Sequence, residues 1–150
     1  MAGLFRDDPR RSGDRILDRL LEMTQLTDTW IDVGAGAGRY ALPLALALKE
    51  VIAVEPSRAM TDTLRASAKE DEIRNVHVVE GRWPAAVADL EPLPCADVSL
   101  IANVGHDTEQ IGPFVDGLES AVRRTCIAIM HVRRTAASSP STNGPICSVS

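Results

Sequence analysis

Apolar positions along the chain follow two alternating rhythms. Ile16, Leu17, Leu20, Leu21 and Leu26 recur near helical spacing, with Ser12 or Asp14 ahead of them as an N-cap. Trp30 to Val33 is a short apolar run that carries Asp32 and breaks into Gly34, Gly36 and Gly38, where bare backbone can turn tightly and approach a ligand. Arg39 to Ala47 predicts a short, almost wholly apolar helix. Pro43 is out of place in it, because proline inside a helix costs about 3 kcal/mol unless it falls in the first turn. Val51 to Val54 suits a strand buried on both faces, and Glu55 ends it. Ser57, after Pro56, is placed to cap a helix through Met60, Leu64 and Ala68. Asn75 to Val79 is a third strand, Pro84 to Leu90 a short helix and Asp97 to Val104 a fourth strand. Ile111, Phe114, Val115, Leu118, Ala121 and Val122 form the clearest amphipathic pattern, and Thr125 to Val132 is a fifth strand.

Strands alternating with helices at this pace pair in parallel through right-handed crossovers. The predicted fold class is therefore α/β, a doubly wound, mainly parallel sheet of about five strands with helices on both faces. Ligands of such sheets sit beyond the carboxyl ends of the strands, where the strand order reverses. The glycine turn, Glu55, Gly81 to Trp83 and Asn103 to His106 all follow strands on that edge. The expected division is a flexible arm over 1–11, one ligand-binding domain over 12–134 and a tail over 135–150.

Composition narrows the partners. The only strongly apolar stretch, Tyr40 to Val54, is interrupted by Pro43, Lys49 and Glu50, so no membrane span is expected. The charged N-terminus does not resemble a secretory signal, which points to a cytoplasmic protein. A net charge of -5 speaks against binding to a phosphate backbone, making a small-molecule substrate the expectation and nucleic acid an unlikely one. The basic pairs Arg123, Arg124 and Arg133, Arg134 bracket an apolar run and read as solvated strand ends. Cys95, Cys126 and Cys147 lie too far apart for a zinc motif, and Cys126 reads as a small core residue.

The spacing of the glycines bears on the ligand. A nicotinamide fingerprint would place its third glycine, or an alanine, where Arg39 stands, whereas here the third glycine is Gly38. An acid at Asp32 would also repel a pyrophosphate. Asp32-Val33-Gly34-Ala35-Gly36-Ala37-Gly38, followed by Val54-Glu55-Pro56-Ser57, resembles the class I S-adenosylmethionine-dependent methyltransferases over about residues 12 to 134.

That resemblance implies S-adenosylmethionine as cofactor and methyl transfer to an unidentified, small-molecule acceptor. Asp32 and the loop Gly34, Ala35, Gly36 and Gly38 would face the methionine part, and Glu55, with Pro56 after it, would take the ribose hydroxyls. Arg39 is either a solvated first-turn residue or a neighbour of the cofactor carboxylate. Many members place an aspartate after the glycine that ends the third strand, whereas this chain has Arg82 after Gly81. Adenine contacts would then come from the backbone of Arg82 and the ring of Trp83, unless Trp83 serves only the core. Asn103 and His106 would form the reactive face, with His106 either a general base, by virtue of an ordinary pKa of about 6.5, or a loop residue shaping the pocket. The resemblance also implies a helix and a hairpin after the fifth strand. Thr135 to Ser150 has neither charge nor period and reads as a disordered tail, either of a truncated or frame-shifted product or of a small variant that completes its sheet through another subunit across the exposed edge. The alternatives are a nicotinamide-dependent oxidoreductase and a non-catalytic adenosylmethionine-binding remnant.

Overall fold

Each element begins where local chemistry allows it. In the computed structural model, which describes residues 6–88, 95–102 and 111–130, Asp14 caps the first helix by accepting hydrogen bonds from the amides of Ile16 and Leu17, both at 3.1 Å. This α1 spans Arg15–Glu22 and buries Leu17 and Leu20; Leu26 lies beyond it and is 83% exposed, so it is not part of the helical face. β1 (Thr29–Val33) leads through the glycine turn into α2 (Ala41–Ala45), which is shorter than the apolar run suggested. The late start puts Pro43 in the first turn, where proline is tolerated. The amides of Leu42 and Leu44 donate to carbonyls four residues back, on Gly38 and Tyr40. Pro43 has no such donor, and the carbonyl of Arg39 takes a hydrogen bond from the Arg11 guanidinium at 2.8 Å instead.

β2 (Glu50–Glu55) and α3 (Arg58–Glu70) follow, with Ser57 as the helix cap accepting from the amide of Met60. β3 (Val76–Glu80), α4 (Ala85–Ala88), β4 (Ala96–Ala102), α5 (Ile111–Ala121) and β5 (Val122–Ile129) complete the described elements. Within α5, Leu118 is buried while Val115 stays exposed, so the apolar stripe is narrower than its spacing implied.

The five strands form one parallel sheet in the order β3-β2-β1-β4-β5, a doubly wound topology as expected. From β1 the chain moves outward to β2 and β3, then returns to place β4 on the other side of β1. The reversal of strand order therefore lies between β1 and β4. Trp30, Val51, Ala53, Val98 and Leu100 pack with α1, α2 and Leu64 of α3 on one face. Ile31, Val33 and Val54 pack with Trp83, Val87 and Leu118 on the other. Because side chains alternate along a strand, Asp32 and Glu55 share the first face, at the carboxyl edge.

β5 begins three residues earlier than its apolar run, so Arg123 and Arg124 lie within the strand and are not simply solvated ends. Arg124 makes a bidentate ion pair with buried Asp28 at 3.0 and 2.6 Å. Asp28 also accepts from the indole of Trp30 and the amide of Gln25. Burial pushes the Asp28 carboxyl up, but the bonds from Arg124, Trp30 and Gln25 outweigh it and hold the group below the usual carboxylate range. Cys126 is half-buried and accepts a hydrogen bond from the Ser99 hydroxyl at 2.9 Å. Among the described residues no helix is long and apolar enough to cross a membrane.

Candidate functional site

The glycine turn is latched to the end of β2. The amides of Gly34 and Ala35 both donate to the carbonyl of Val54, at 2.8 and 3.2 Å, and the amide of Gly36 donates to the Glu55 carboxylate at 2.9 Å. The second oxygen of Glu55 accepts from the amide of Ser57 at 3.0 Å. Glu55 is only 8% exposed, so its first job is local: one carboxylate ties the glycine turn to the start of α3. The turn needs its glycines for different reasons. Gly34, Gly36 and Gly38 all have positive φ, but a Cβ on Gly36 would meet nothing within 4 Å, whereas one on Gly38 would stand 2.9 Å from Leu42 and 3.2 Å from Leu64.

Beneath this turn Asp32 is 2% exposed, and its Oδ1 is buried without a hydrogen-bond partner among the described residues. Burial pushes its carboxyl up to about 7, and the negative charge of Glu55 adds in the same direction. An unsatisfied buried carboxylate is costly, and it marks a place where a cationic or donor group belongs. Asp32 forms part of the wall of a cavity of about 320 Å³, together with Gly34, Ala35, Gly36, Arg39 and Tyr40. Met60 of α3, Ala102 at the end of β4 and Asp7 contribute further to it. Arg39 is thus on the cavity wall, where its guanidinium stacks over Tyr40 and pairs with Asp7 and Asp14 at 3.0 and 3.3 Å.

A second, more apolar cavity of about 180 Å³ opens on the other face of the sheet. Val33, Val54, Pro56, Gly81, Arg82, Trp83 and Phe114 line it, and Gly34 belongs to both cavities. Trp83 is buried and its indole donates to the carbonyl of Phe114 at 3.3 Å, so it packs in the core and also walls this slot. The two cavities meet over the carboxyl ends of β1 and β2, beside the point where the strand order reverses.

The structure therefore brings together Asp32, Gly34, Ala35, Gly36, Glu55, Pro56, Arg82 and Trp83, with Gly38 just behind the turn. Asn103 and His106 lie outside the described residues, as do residues 131–150. Asp7, Tyr40, Met60, Ala102 and Phe114 are wall residues that sequence reasoning did not single out. Phe114 was legible only as a core position, and Asp7 sits in a charged segment with no motif around it.

Residues 31–123 match the family described as Methyltransferase domain. The chain belongs to that family. In this methyltransferase domain the expected class I fold and the cofactor S-adenosylmethionine are borne out, and the nicotinamide alternative falls. The chain is 39% identical over 110 residues to a 23S rRNA (uracil(1939)-C(5))-methyltransferase RlmD of Pseudomonas putida, covering 73% of this chain and 22% of that protein. It is 34% identical over 94 residues to the RlmD of Pseudomonas fluorescens, covering 63% of this chain and 18% of the relative. The methyltransferase domain thus spans about a fifth of the length of these curated relatives. Among solved structures, precorrin 8W decarboxylase from Methanobacterium thermoautotrophicum superposes with a TM-score of 0.67 at 20% identity, over 87% of this chain and 72% of that one.

The relatives overturn one expectation. Both are named as rRNA methyltransferases, so the expectation that nucleic acid is an unlikely partner, and with it the preference for a small molecule, does not stand. Net charge is a weak guide here because the chain spans only about a fifth of the length of these relatives, and acceptor binding need not lie where the cofactor is held.

Proposed function

We propose that this chain is the S-adenosylmethionine-binding unit of a cytoplasmic methyltransferase whose acceptor is RNA. The observation that carries the cofactor half is the buried Oδ1 of Asp32, without a partner among the described residues, under a latched glycine turn at the reversal of strand order. The acceptor class is supported by the rRNA methyltransferase names of relatives at 34% and 39% identity.

Bound adenosylmethionine would supply a methyl group already activated on a sulfonium. The residues of this chain then have binding and alignment to do. Asp32 offers the larger cavity a carboxylate that suits an ammonium group, because pairing relieves its desolvation. Glu55 keeps lone pairs beyond those used by Gly36 and Ser57, and these are suited to the ribose hydroxyls. Pro56, Arg82 and Trp83 form the slot for the adenine, with backbone groups at Arg82 replacing the missing acid. Asn103 and His106 follow β4 on the same edge in sequence, and His106 is the base where the acceptor atom carries a proton. In-line transfer gains most of its rate from holding nucleophile, methyl and sulfur aligned.

Calorimetric titration with S-adenosylhomocysteine and NAD tests the cofactor half, and binding of NAD alone would sink it. Glu55→Gln leaves one of the two amides unpaired and weakens the ribose contact, so affinity for S-adenosylhomocysteine should fall roughly ten- to a hundredfold. Unchanged affinity in a folded variant would refute the ribose assignment. Transfer of labelled methyl to unmodified rRNA, and not to a metabolite extract, is the expected outcome for the acceptor. Cofactor binding without transfer to either marks the chain as a binding module. His106→Ala with turnover intact would leave alignment alone as the mechanism.

A further inference from the structure

The segment ahead of α1 is fastened across the cofactor cavity. Arg6 pairs with Glu70 at 2.5 Å and with Asp71 at 3.4 Å, and Arg10 reaches Asp71 at 3.6 Å, all at the C-terminal end of α3. Pro9 is buried. At the other end Arg11 pairs with the α1 cap, Asp14, at 3.1 Å and donates to the Arg39 carbonyl that Pro43 leaves open. Between these fastenings Asp7 lines the same cavity as Asp32 and the glycine turn. Its carboxylate holds one arm of the Arg39 guanidinium at 3.0 Å, while Asp14 holds another at 3.3 Å and the ring of Tyr40 lies beneath, 5.7 Å away.

Among the described residues that line this cavity, Arg39 is the cation, and Asp7 and Asp32 are the carboxylates. A guanidinium has five donors, and two salt bridges leave donors free for a further anion. Its side chain is 53% exposed, so without fixed partners it would sample many rotamers, and ordering a long side chain at the moment of binding weakens affinity. Two carboxylates and an aromatic face remove that freedom in advance. The cavity then presents an ordered cation from Arg39 and an unsatisfied anion from Asp32, the complement of a free amino-acid group with its ammonium and carboxylate.

We propose that Asp7 is a positioning residue of the cofactor site, holding Arg39 to receive the carboxylate of the methionine end. This rests on the adenosylmethionine reading of the cavity. It makes the segment from Arg6 to Arg11 a wall of the site, and it assigns specificity for the amino-acid end to a residue outside the glycine motif.

The test compares two ligands that differ only at that end. S-adenosylhomocysteine carries the amino-acid group, and 5′-methylthioadenosine keeps the nucleoside and the sulfur without it. Asp7→Asn should weaken S-adenosylhomocysteine roughly 5- to 20-fold and leave 5′-methylthioadenosine unchanged, with Asp7→Glu restoring most of the loss. Arg39→Gln should show the same selective loss, and the double variant Asp7→Asn, Arg39→Gln should lose no more than Arg39→Gln alone, because Asp7 acts through Arg39. Equal weakening of both ligands by Asp7→Asn would show a general effect on the fold and overturn the proposal, as would wild-type affinity for S-adenosylhomocysteine in that variant. If Asp7→Asn does not fold, Asp7→Ser takes its place on the same titration: a selective loss of S-adenosylhomocysteine affinity that vanishes in the Arg39→Gln background sustains the proposal, and an equal loss of both ligands, or no loss, overturns it. Failure of the wild-type chain to bind S-adenosylhomocysteine would instead remove the cofactor reading itself.

Discussion

Asp32 and the three glycines show how one short motif holds residues with separate duties. Gly38 is required by packing, since a methyl there would drive into Leu42 and Leu64. Gly38→Ala should therefore destabilise the fold by about 2–4 kcal/mol, combining strain at positive φ with overpacking. Gly36→Ala meets no neighbour and should cost about 1 kcal/mol, yet weaken the cofactor because Gly36 lines the cavity. Denaturant melts beside titrations separate the two, and equal stability losses would contradict this division. Asp32 makes a pH prediction. Its folded pKa is raised to about 7, so between the ordinary value near 4 and pH 7 the folded chain holds a proton that the unfolded chain has lost. Stability should fall as pH rises through that window and level off above it, and Asp32→Asn should flatten the fall. A cation placed beside the carboxylate lowers its pKa, so S-adenosylhomocysteine should bind more tightly from pH 5 to 7 with release of a proton, which calorimetry in buffers of different ionisation heat detects. These duties were only partly legible. Asp32 and Glu55 stand out by position after apolar runs, but that Glu55 is spent first on Gly36 and Ser57 depends on two strands meeting in register.

At the scale of elements, the alternation of apolar runs and amphipathic stretches was enough to place every strand and helix described; of the two caps open for the first helix, Ser12 and Asp14, Asp14 is the one used, and Ser57 caps α3 as expected. Boundaries failed where charge and neighbouring strands compete. Arg123 and Arg124 looked like the end of hydrophobic order, but parallel pairing with β4 carries them into β5, where Asp28 supplies the counter-charge. No local pattern announces a partner 96 positions away. Arg124→Met should destabilise the chain by about 1–3 kcal/mol, at the low end of a broken buried pair because the Arg124 side chain is more than a third exposed. The depressed pKa of Asp28 adds a second signature. Its contribution is present above the ordinary carboxylate pKa and is lost as pH falls through the lower folded value, so the wild-type and Arg124→Met chains should converge in stability under acid. A constant gap in acid melts would show that packing of the arginine stem, and not its charge, is what counts.

For the molecule as a whole, strand order decides more than composition does. The reversal between β1 and β4 collects residues from the segment ahead of α1, from β1 and the glycine turn, from α3 and from β4 around one cavity, whereas the net charge of -5 was no guide to the partner. Charge ahead of α1 predicts a flexible arm, and the pairing of its described residues from Arg6 onward depends on acids at the end of α3 that are distant in sequence. Pro43 links these levels. Pro43→Ala adds the helix donor that proline lacks, without adding bulk. That donor would compete with Arg11 for the Arg39 carbonyl, so release of S-adenosylhomocysteine should quicken in stopped-flow, and unchanged release would show the contact to be incidental. Pro43 thus keeps a distant segment in place by leaving one carbonyl unclaimed, and a variant that completes the local ladder would give up ligand retention for it.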